Sequence, residues 1–291
     1  MAVSLSVATH QASLPIAWRL YLPESWATDR QRRTATGVPA AIVFQTKSAI
    51  ALSQIRQEVA QGISPAPVLA DAGYGNETRF REEITELGLP YAVGIQGTTT
   101  VWPPSETPRP KQRRNGRGRP PTRLPRETDQ RPLTEKDLAL VLPDQAWKTV
   151  SWRPGTKRKL SSRFTAVRVR PAHREPHRTE PYPEQWLLME WPPKEIEPAK
   201  YWLSTLPANT KLTALVRVVK HRWIIERDYE ELKQEVGVGH YEGRGWRGFH
   251  HHATLCIAAY GFLVIERTRI SPIRSNLGAG KFGPLRPLSP P

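Results

Sequence analysis

A short apolar strand that ends in a carboxylate is the feature that most constrains the fold of this chain. Val68–Ala70 leads directly into Asp71, and two glycines follow within four residues. Helical apolar patterns flank the strand at 46–61 and 76–87, and a second strand is predicted at 91–95. This alternation predicts an α/β sheet, with Asp71 at the carboxyl edge where such sheets bind ligands. A plain turn remains an equal alternative for Asp71, since Asp before Gly is common in turns.

The segment before this strand predicts a β-hairpin over residues 2–22, with its turn at 10–13. The sheet should therefore be antiparallel at one edge and parallel beyond it. Residues 1–95 are interpreted as the first part of the core.

The stretch 212–236 predicts one long helix that carries charges where an amphipathic helix buries apolar residues. At about 100° per residue, Val219, Arg222, Glu226 and Lys233 share one stripe. A carboxylate drawn towards a core is costly unless it is paired or bound to a cation, so Glu226 requires an explanation. The plainer alternative is a surface helix with pairs such as Arg222 with Glu226.

The segment 96–207 predicts a β-rich insertion between these two parts of the core. It holds a short helical pattern at 134–142 and four strand-like pieces, TVSWR, FTAVRVRPA, QWLLMEWP and YWLSTLP. Residues 208–270 then complete the core with helices, the last of them predicted at 249–269. The tail 271–291 is predicted to be disordered.

A net charge of +16 over 291 residues indicates a polyanionic partner, and nucleic acid is the leading candidate. Dense arginines stand among Pro and Gly after residue 97, including Arg113, Arg114, Arg117 and Arg119. Such a segment suits an extended arm that contacts phosphates without reading bases. A solvated linker is the alternative.

Other classes of protein and site are disfavoured. A single cysteine, Cys256, excludes an internal disulfide and a cysteine-based zinc site. The irregular spacing of His173 and His177 disfavours a metal site, and one or two of the adjacent His250–His252 are interpreted as solvent or phosphate contacts. No stretch is expected to span a membrane and no signal peptide is recognised, so we expect a cytoplasmic protein.

Asp71 and Glu226 in a basic chain fit two-metal phosphoryl transfer on DNA or RNA. In that chemistry two Mg²⁺ ions about 4 Å apart activate the attacking group and stabilise the leaving oxygen. Hard cations of this kind prefer oxygen ligands, which agrees with the absence of cysteine ligands.

These residues resemble the DDE transposases of bacterial insertion sequences, which have a ribonuclease H-like catalytic core. One branch of that family carries a Tyr-x2-Arg-x3-Glu-x6-Lys signature. Arg222, Glu226 and Lys233 match it in spacing, and Val219 stands at the tyrosine position. The expected fold is thus a ribonuclease H-like mixed sheet flanked by helices, with a β-rich insertion before the helix carrying the last acid.

The resemblance implies a set of roles. Asp71 and Glu226 would be catalytic metal ligands for two Mg²⁺ or Mn²⁺ ions, and Arg222 and Lys233 would contact DNA. The partners would be transposon ends and target DNA, and the protein could form a homodimer. The family's first catalytic Asp lies on an opening strand before the hairpin, so the chain is expected to be an N-terminally truncated transposase. Glu24 and Asp29 are not placed to replace that residue.

The sequence leaves two other functions open. The first is a non-catalytic nucleic-acid-binding protein, or an inhibitor of a full-length transposase. The second is an unrelated metal-dependent nuclease whose missing acid comes from elsewhere in the chain.

The basic arm gives a first testable prediction. Replacing Arg113, Arg114, Arg117 and Arg119 together with Ala should weaken DNA binding and flatten its salt dependence. Each lost phosphate contact removes roughly 0.9 from the slope of log binding constant against log salt concentration. Fluorescence anisotropy with duplex DNA over a range of KCl measures this slope. An unchanged slope would identify the segment as a solvated linker.

Overall fold

A computed structural model describes residues 1–104, 131–154, 159–172 and 180–270. Its strands are β1 Ala2–Ala8, β2 Ser13–Leu20, β3 Val68–Ala70, β4 Tyr91–Ile95, β5 Thr100–Trp102, β6 Leu133–Thr134, β7 Lys148–Pro154, β8 Lys159–Pro171, β9 Gln185–Trp191 and β10 Lys200–Ser204. Its helices are α1 Glu24–Ala27, α2 Arg30–Thr36, α3 Lys47–Ala60, α4 Ala72–Gly75, α5 Thr78–Glu86, α6 Glu135–Val141, α7 Leu212–Lys220, α8 Trp223–Gln234 and α9 Trp246–Ile270. The predicted tail, 271–291, lies outside the described residues.

The main sheet is mixed, as predicted. Its strand order among the described residues is β3-β4-β10-β9-β8-β5-β6, with β7 paired to β8. β3 and β4 are parallel, and the other pairs are antiparallel. The strands of segment 96–207 thus continue the sheet directly from β4, through pairs such as Tyr201 with Ile95. The architecture agrees with a ribonuclease H-like α/β fold.

The hairpin of β1 and β2 forms a separate two-stranded sheet and does not extend the main one, which differs from the predicted single sheet. Among the described strands, β1 pairs with β2 alone and β3 with β4 alone. The hairpin packs instead against α3, α8 and α9. The hairpin is therefore connected to the core by side-chain packing on these helices, and not by strand-to-strand hydrogen bonds with the main sheet.

Alternate residues of the central strands face opposite cores, as the pleat requires. Tyr91, Val93 and Ile95 join the cluster beneath α3, α5 and α6, whereas Ala92 joins the cluster beneath α7. Every residue of β4 is buried, which explains its uninterrupted apolar sequence. The sheet is consequently covered by helices on both faces.

The predicted single helix 212–236 is in fact two helices. The N–H of His221 bonds to the carbonyl of Val218, and the N–H groups of Ile224 and Ile225 bond to the carbonyls of His221 and Arg222. These are i→i−3 bonds, so one tightened 3₁₀-type turn separates α7 from α8. The backbone dihedrals of the two junction residues, His221 and Arg222, stay helical. The periodicity of apolar residues in the sequence therefore could not reveal the break.

A buried ion pair fixes α7 on the sheet. The Lys220 ammonium lies 2.6 Å from a Glu190 carboxylate oxygen and 4.6 Å from the centre of the Trp152 ring. Burial lowers the pKa of Lys220, and the bond to Glu190 opposes that change. The end of α7, and with it the residues that follow, is thereby held at a defined position over the sheet.

The last helix corrects one expectation. Over Trp246–Arg269, α9 is long and apolar enough to cross a bilayer by length and composition, with a mean hydropathy of 1.2. The sequence had been expected to contain no stretch of that length. Most of its polar residues lie towards the two ends, at His250–His252 and Glu266–Arg269, which leaves a mainly apolar run between them, and only 22% of the 18-residue window is buried in the protein.

A buried acid, Glu135, stands at the start of α6 and was not identified from the sequence. It is fully buried, and neither carboxylate oxygen has a hydrogen-bond partner among the described residues. Burial raises its pKa to about 9, and the charge of buried Arg81 opposes that rise. Glu135 is therefore protonated in the folded protein at neutral pH.

Glu135 should make stability depend on pH. Its folded pKa lies above the unfolded value of about 4.3, so the folded state holds one extra proton between these values and stability falls as pH rises through them. The Glu135→Gln variant lacks this proton uptake. As the pH rises through that window, the free energy of unfolding of the variant should increase relative to that of the wild type by up to roughly 1.4 kcal/mol per pH unit.

Urea unfolding at several pH values between 4 and 9 measures this difference. Glu86→Gln, at an exposed position of α5, is the matched control and should follow the wild type. A difference between Glu135→Gln and the wild type that does not change with pH would contradict the buried, protonated state.

Candidate active site

Asp71 lies immediately after β3 and begins the short helix α4. Its Oδ1 accepts a hydrogen bond of 2.9 Å from the N–H of Gly73. A Cβ on Gly75 would lie only 2.0 Å from the carbonyl oxygen of Gly94, so α4 can pack against β4 only with glycine there. The run LADAGYG therefore holds Asp71 at the carboxyl edge of the two parallel strands.

Arg222 brings the two predicted acids to one place. Its Nη2 lies 2.8 Å from Glu226 Oε1, and its Nη1 lies 4.0 Å from Asp71 Oδ2. The i,i+4 pair that was the plainer interpretation is thus present, and the same guanidinium also reaches an acid from β3. Residues far apart in the sequence meet around one cation.

These three side chains are accessible to solvent. The exposed fractions are 52% for Asp71, 64% for Glu226 and 38% for Arg222. Ion pairs at such positions are individually weak because water competes for both partners. The acids can therefore exchange Arg222 for another cation at low energetic cost.

The expectation that Glu226 is drawn towards the core was wrong. Glu226 and Lys233 are exposed, whereas the buried positions of α8 are Ile224, Asp228 and Leu232. α7 and α8 pack against different partners: α7 against the main sheet, and α8 against the hairpin and α9. The helical stripe that contains Val219 is therefore buried on α7 and exposed on α8.

Glu226 and Lys233 share an open groove of about 410 Å³ along α8. Ile225 and Tyr229 give it an apolar wall, and Glu230 and Gln234 complete its lining. Two acids, Glu226 and Glu230, are thus followed by one base, Lys233, along one exposed face. An extended phosphate-bearing ligand could follow this face from Glu226 to Lys233.

The sequence reasoning missed Asp228, which sets the orientation of α8. It is 1% exposed, and one oxygen accepts hydrogen bonds of 2.6 Å from both the N–H and the hydroxyl of Ser13. Its other oxygen accepts from Arg227, whose guanidinium also donates to the carbonyl of Gln11. Asp228 shares a helical face with Ile224 and Leu232, a signal that could have identified it as buried.

The histidine at the junction adds little positive charge beside Arg222. Burial lowers the pKa of His221, and the neighbouring His10, with ring centroids 5.4 Å apart, lowers it further. His221 is consequently neutral at neutral pH. Next to Asp71, burial and the charge of that carboxylate raise the pKa of Tyr74.

Among the histidines of α9, His251 is exposed to solvent, in line with the expectation for one or two of them, whereas His250 and His252 make contacts within the protein. His250 Nδ1 lies 2.8 Å from the carbonyl oxygen of Trp246, and His252 Nε2 lies 3.1 Å from that of Gly237. His250 also stacks on Trp18. The rings of His250 and His252 thereby connect α9 to the hairpin and to the turn after α8.

Several predicted site residues fall outside the described residues, namely Arg113, Arg114, Arg117, Arg119, His173 and His177. Their roles stay predictions.

The paired acids fit a hard divalent cation. Both offer accessible carboxylate oxygens, and Mg²⁺ is commonly bound through one or two carboxylates while it keeps several waters. Within residues 1–104, 131–154, 159–172 and 180–270, no group of three or more His, Cys, Asp or Glu side chains is placed to hold one ion. The described site thus offers two protein ligands.

Comparison with known protein families matches the part of the chain that carries Asp71, and not the helix that carries Arg222 and Glu226. The model of the DDE superfamily endonuclease family matches residues 1–159, which is more than half of the chain and includes Asp71. No curated protein matches the chain. The predicted resemblance to a DDE transposase-type domain is thereby confirmed, and the chain belongs to the DDE superfamily of endonucleases, enzymes that act on DNA.

Proposed function

We propose that this protein cleaves and joins DNA strands in transposition, by metal-dependent phosphoryl transfer at Asp71 and Glu226. The observation that carries the proposal is the shared contact of both acids with Arg222 at the carboxyl edge of the sheet. Chance rarely brings two acids from such distant segments to one guanidinium. The family match supplies the class of substrate.

In this proposal Asp71 and Glu226 hold the cations. A pair of Mg²⁺ or Mn²⁺ ions, when bound, supplies activation of the attacking water or hydroxyl and stabilisation of the leaving oxygen. Asp71 is fixed by the backbone of Gly73, and Glu226 by the anchored helix α8. Both carboxylates are thus presented from rigid elements, as precise positioning of reacting atoms requires.

Arg222 and Lys233 would bind the DNA backbone. Arg222 offsets part of the negative charge of the two acids before the cations enter, and its planar guanidinium can then pair with a phosphate through two parallel hydrogen bonds. Lys233 lies farther along the same groove and suits a neighbouring phosphate as a point charge. DNA would therefore lie along the exposed face of α8.

A second candidate function follows from the number of ligands. Two-metal chemistry needs a carboxylate that bridges both ions, and the described residues offer two acids and no third. A DNA-binding protein that does not cut, including one that inhibits an intact transposase, fits this observation. We propose that the chain alone turns over slowly, since a misplacement of even about 1 Å can cost roughly 100-fold in rate.

Nicking of supercoiled plasmid in Mg²⁺ or Mn²⁺ separates these functions. We expect the wild type to bind DNA and to nick it slowly, with loss of nicking in Glu226→Gln and in Asp71→Asn but unchanged binding. Rapid nicking that Glu226→Gln abolishes would show that the chain contains a third acid. That result would contradict the proposed slow turnover but not the proposed site. Nicking that survives both substitutions would contradict the proposed site, and binding without any nicking would favour the second function.

Arg222→Gln should separate metal binding from DNA binding. Without the guanidinium the two acids are left uncompensated, so Mn²⁺ should bind more tightly, by about tenfold if roughly 1.4 kcal/mol of competition is removed. DNA binding should weaken, and its salt slope should fall by roughly 0.9.

Isothermal titration with Mn²⁺ and anisotropy with duplex DNA measure these effects. Arg217→Gln, at an exposed position of α7, is the matched control for loss of one positive charge. Equal effects of the two substitutions on Mn²⁺ affinity would show that Arg222 does not compete with the cation.

A further inference from the structure

Arg81, on α5, is a buried cation. It is 4% exposed, and its guanidinium donates hydrogen bonds to neutral groups. In the part of the chain that the structure describes, no carboxylate lies within ion-pair distance of it. A cation without a paired carboxylate is costly to bury, and apolar side chains of similar volume are often neutral or stabilising in place of buried charges. Stability alone therefore does not explain an arginine at this position.

The guanidinium of Arg81 donates to the last carbonyl of the short helix α4. Its Nη1 bonds to the carbonyl oxygen of Gly75, and its Nη2 lies 3.2 Å from the hydroxyl oxygen of Thr78. The last four carbonyls of a helix lack partners within that helix, and α4 has only four residues. Arg81 thus supplies a charged donor, which makes the stronger kind of hydrogen bond, to the end of α4.

Hydrogen bonds continue from this contact to Asp71. The N–H of Gly75 donates to the carbonyl of Asp71 at 2.8 Å, and the N–H of Gly73 donates to the Asp71 carboxylate at 2.9 Å. Gly75 also packs directly against the backbone of Gly94 in β4. Arg81 therefore holds, from the buried side, the turn from which the Asp71 carboxylate projects into solvent.

The neutral state of Glu135 leaves Arg81 available for this contact. Glu135 is fully buried, and the charge of Arg81 opposes the rise of its pKa. Burial is the larger effect and raises that pKa to about 9, so the carboxyl is protonated at neutral pH. An ionised Glu135 would instead compete with the Gly75 carbonyl for the guanidinium.

We propose that Arg81 is a positioning residue for Asp71, which fixes the turn of α4 so that the Asp71 carboxylate meets Glu226 at one cation site. This inference rests on the proposed function, because it gives Arg81 a task in binding the cation through Asp71. Arg81 touches neither the cation nor DNA, and it acts only through the backbone of α4. Its loss should therefore weaken cation binding and slow strand cleavage without a change in DNA affinity.

Arg81→Met tests this role, because it removes the charge and the donors and keeps a side chain of similar length. Isothermal titration should show Mn²⁺ affinity lowered by roughly 10- to 100-fold, the usual effect of losing a residue that orients a metal ligand. The kcat of plasmid nicking should fall as well, whereas anisotropy should report wild-type DNA affinity. Arg79→Met is the matched control on the same helix, since the Arg79 side chain is 76% exposed, and it should bind Mn²⁺ like the wild type.

Hydrogen exchange measured by mass spectrometry separates positioning from a general loss of structure. In Arg81→Met, exchange should accelerate by about tenfold or more over residues 71–77, because a lost local hydrogen bond opens this turn without unfolding the domain. Exchange over β4, 91–95, should stay at the wild-type rate. Equal acceleration in both segments, or no acceleration over 71–77, would overturn the proposal.

Arg81→Lys keeps the buried charge and one donor, and it carries the same comparison if Arg81→Met does not fold. An ammonium cannot span Gly75 and Thr78 as the planar guanidinium does, so the Mn²⁺ affinity of Arg81→Lys should lie between those of the wild type and Arg81→Met. Wild-type Mn²⁺ affinity together with wild-type exchange over 71–77 in Arg81→Lys would overturn the role assigned to these hydrogen bonds.

Two further variants identify which part of the account fails. If Asp71→Asn lowers Mn²⁺ affinity and Arg81→Met does not, the cation site stands and the positioning role is overturned. If neither lowers it, the proposed function fails, and the role of Arg81 fails with it. Glu135→Gln should bind Mn²⁺ like the wild type at neutral pH, and a loss equal to that of Arg81→Met would show that an ionised Glu135 holds the guanidinium instead.

Discussion

The buried carboxylate of Asp228 determines how α8 faces the rest of the protein. A charge in the interior is tolerated only when its hydrogen-bonding capacity is met, and here Ser13 and Arg227 meet it. Because Ser13 at the start of β2 supplies two of these hydrogen bonds, rotation of α8 would remove them from the buried carboxylate. The opposite face, with Glu226 and Lys233, is therefore turned towards solvent and the groove.

The tightened turn between α7 and α8 completes this arrangement. α7 is attached to the main sheet by the ion pair of Lys220 with Glu190, and α8 is attached to the hairpin by the hydrogen bond between Asp228 and Ser13. Arg222 stands at the junction of the two, which is where its side chain can reach both Glu226 on its own helix and Asp71 beyond β3. The site thus forms where two packing units meet, and its geometry depends on both.

Local features of the fold could be predicted from the sequence, and non-local ones could not. The strand that ends in Asp71 has a short apolar run and flanking glycines, and the helix before Gly88 ends at a left-handed residue with φ of 71°. The junction of α7 and α8 was missed because its residues keep helical dihedrals. The pairing of β10 with β4 joins segments separated by a long insertion, and no local pattern specifies it. Burial of Glu135 depends on what the tertiary fold brings over it, so no local pattern identified it, whereas the helical spacing of Asp228 from Ile224 and Leu232 was a local signal of burial.

In the proposed function, Asp71 and Glu226 bind cations at one site. A double-mutant cycle in Mn²⁺ affinity, with Asp71→Asn, Glu226→Gln and the combined variant, tests it most directly. If both acids hold the same ions, each single substitution should remove most of the binding, and the combined variant should lose little more than either one. Additive losses, or Mn²⁺ affinity unchanged by either substitution, would contradict a shared site.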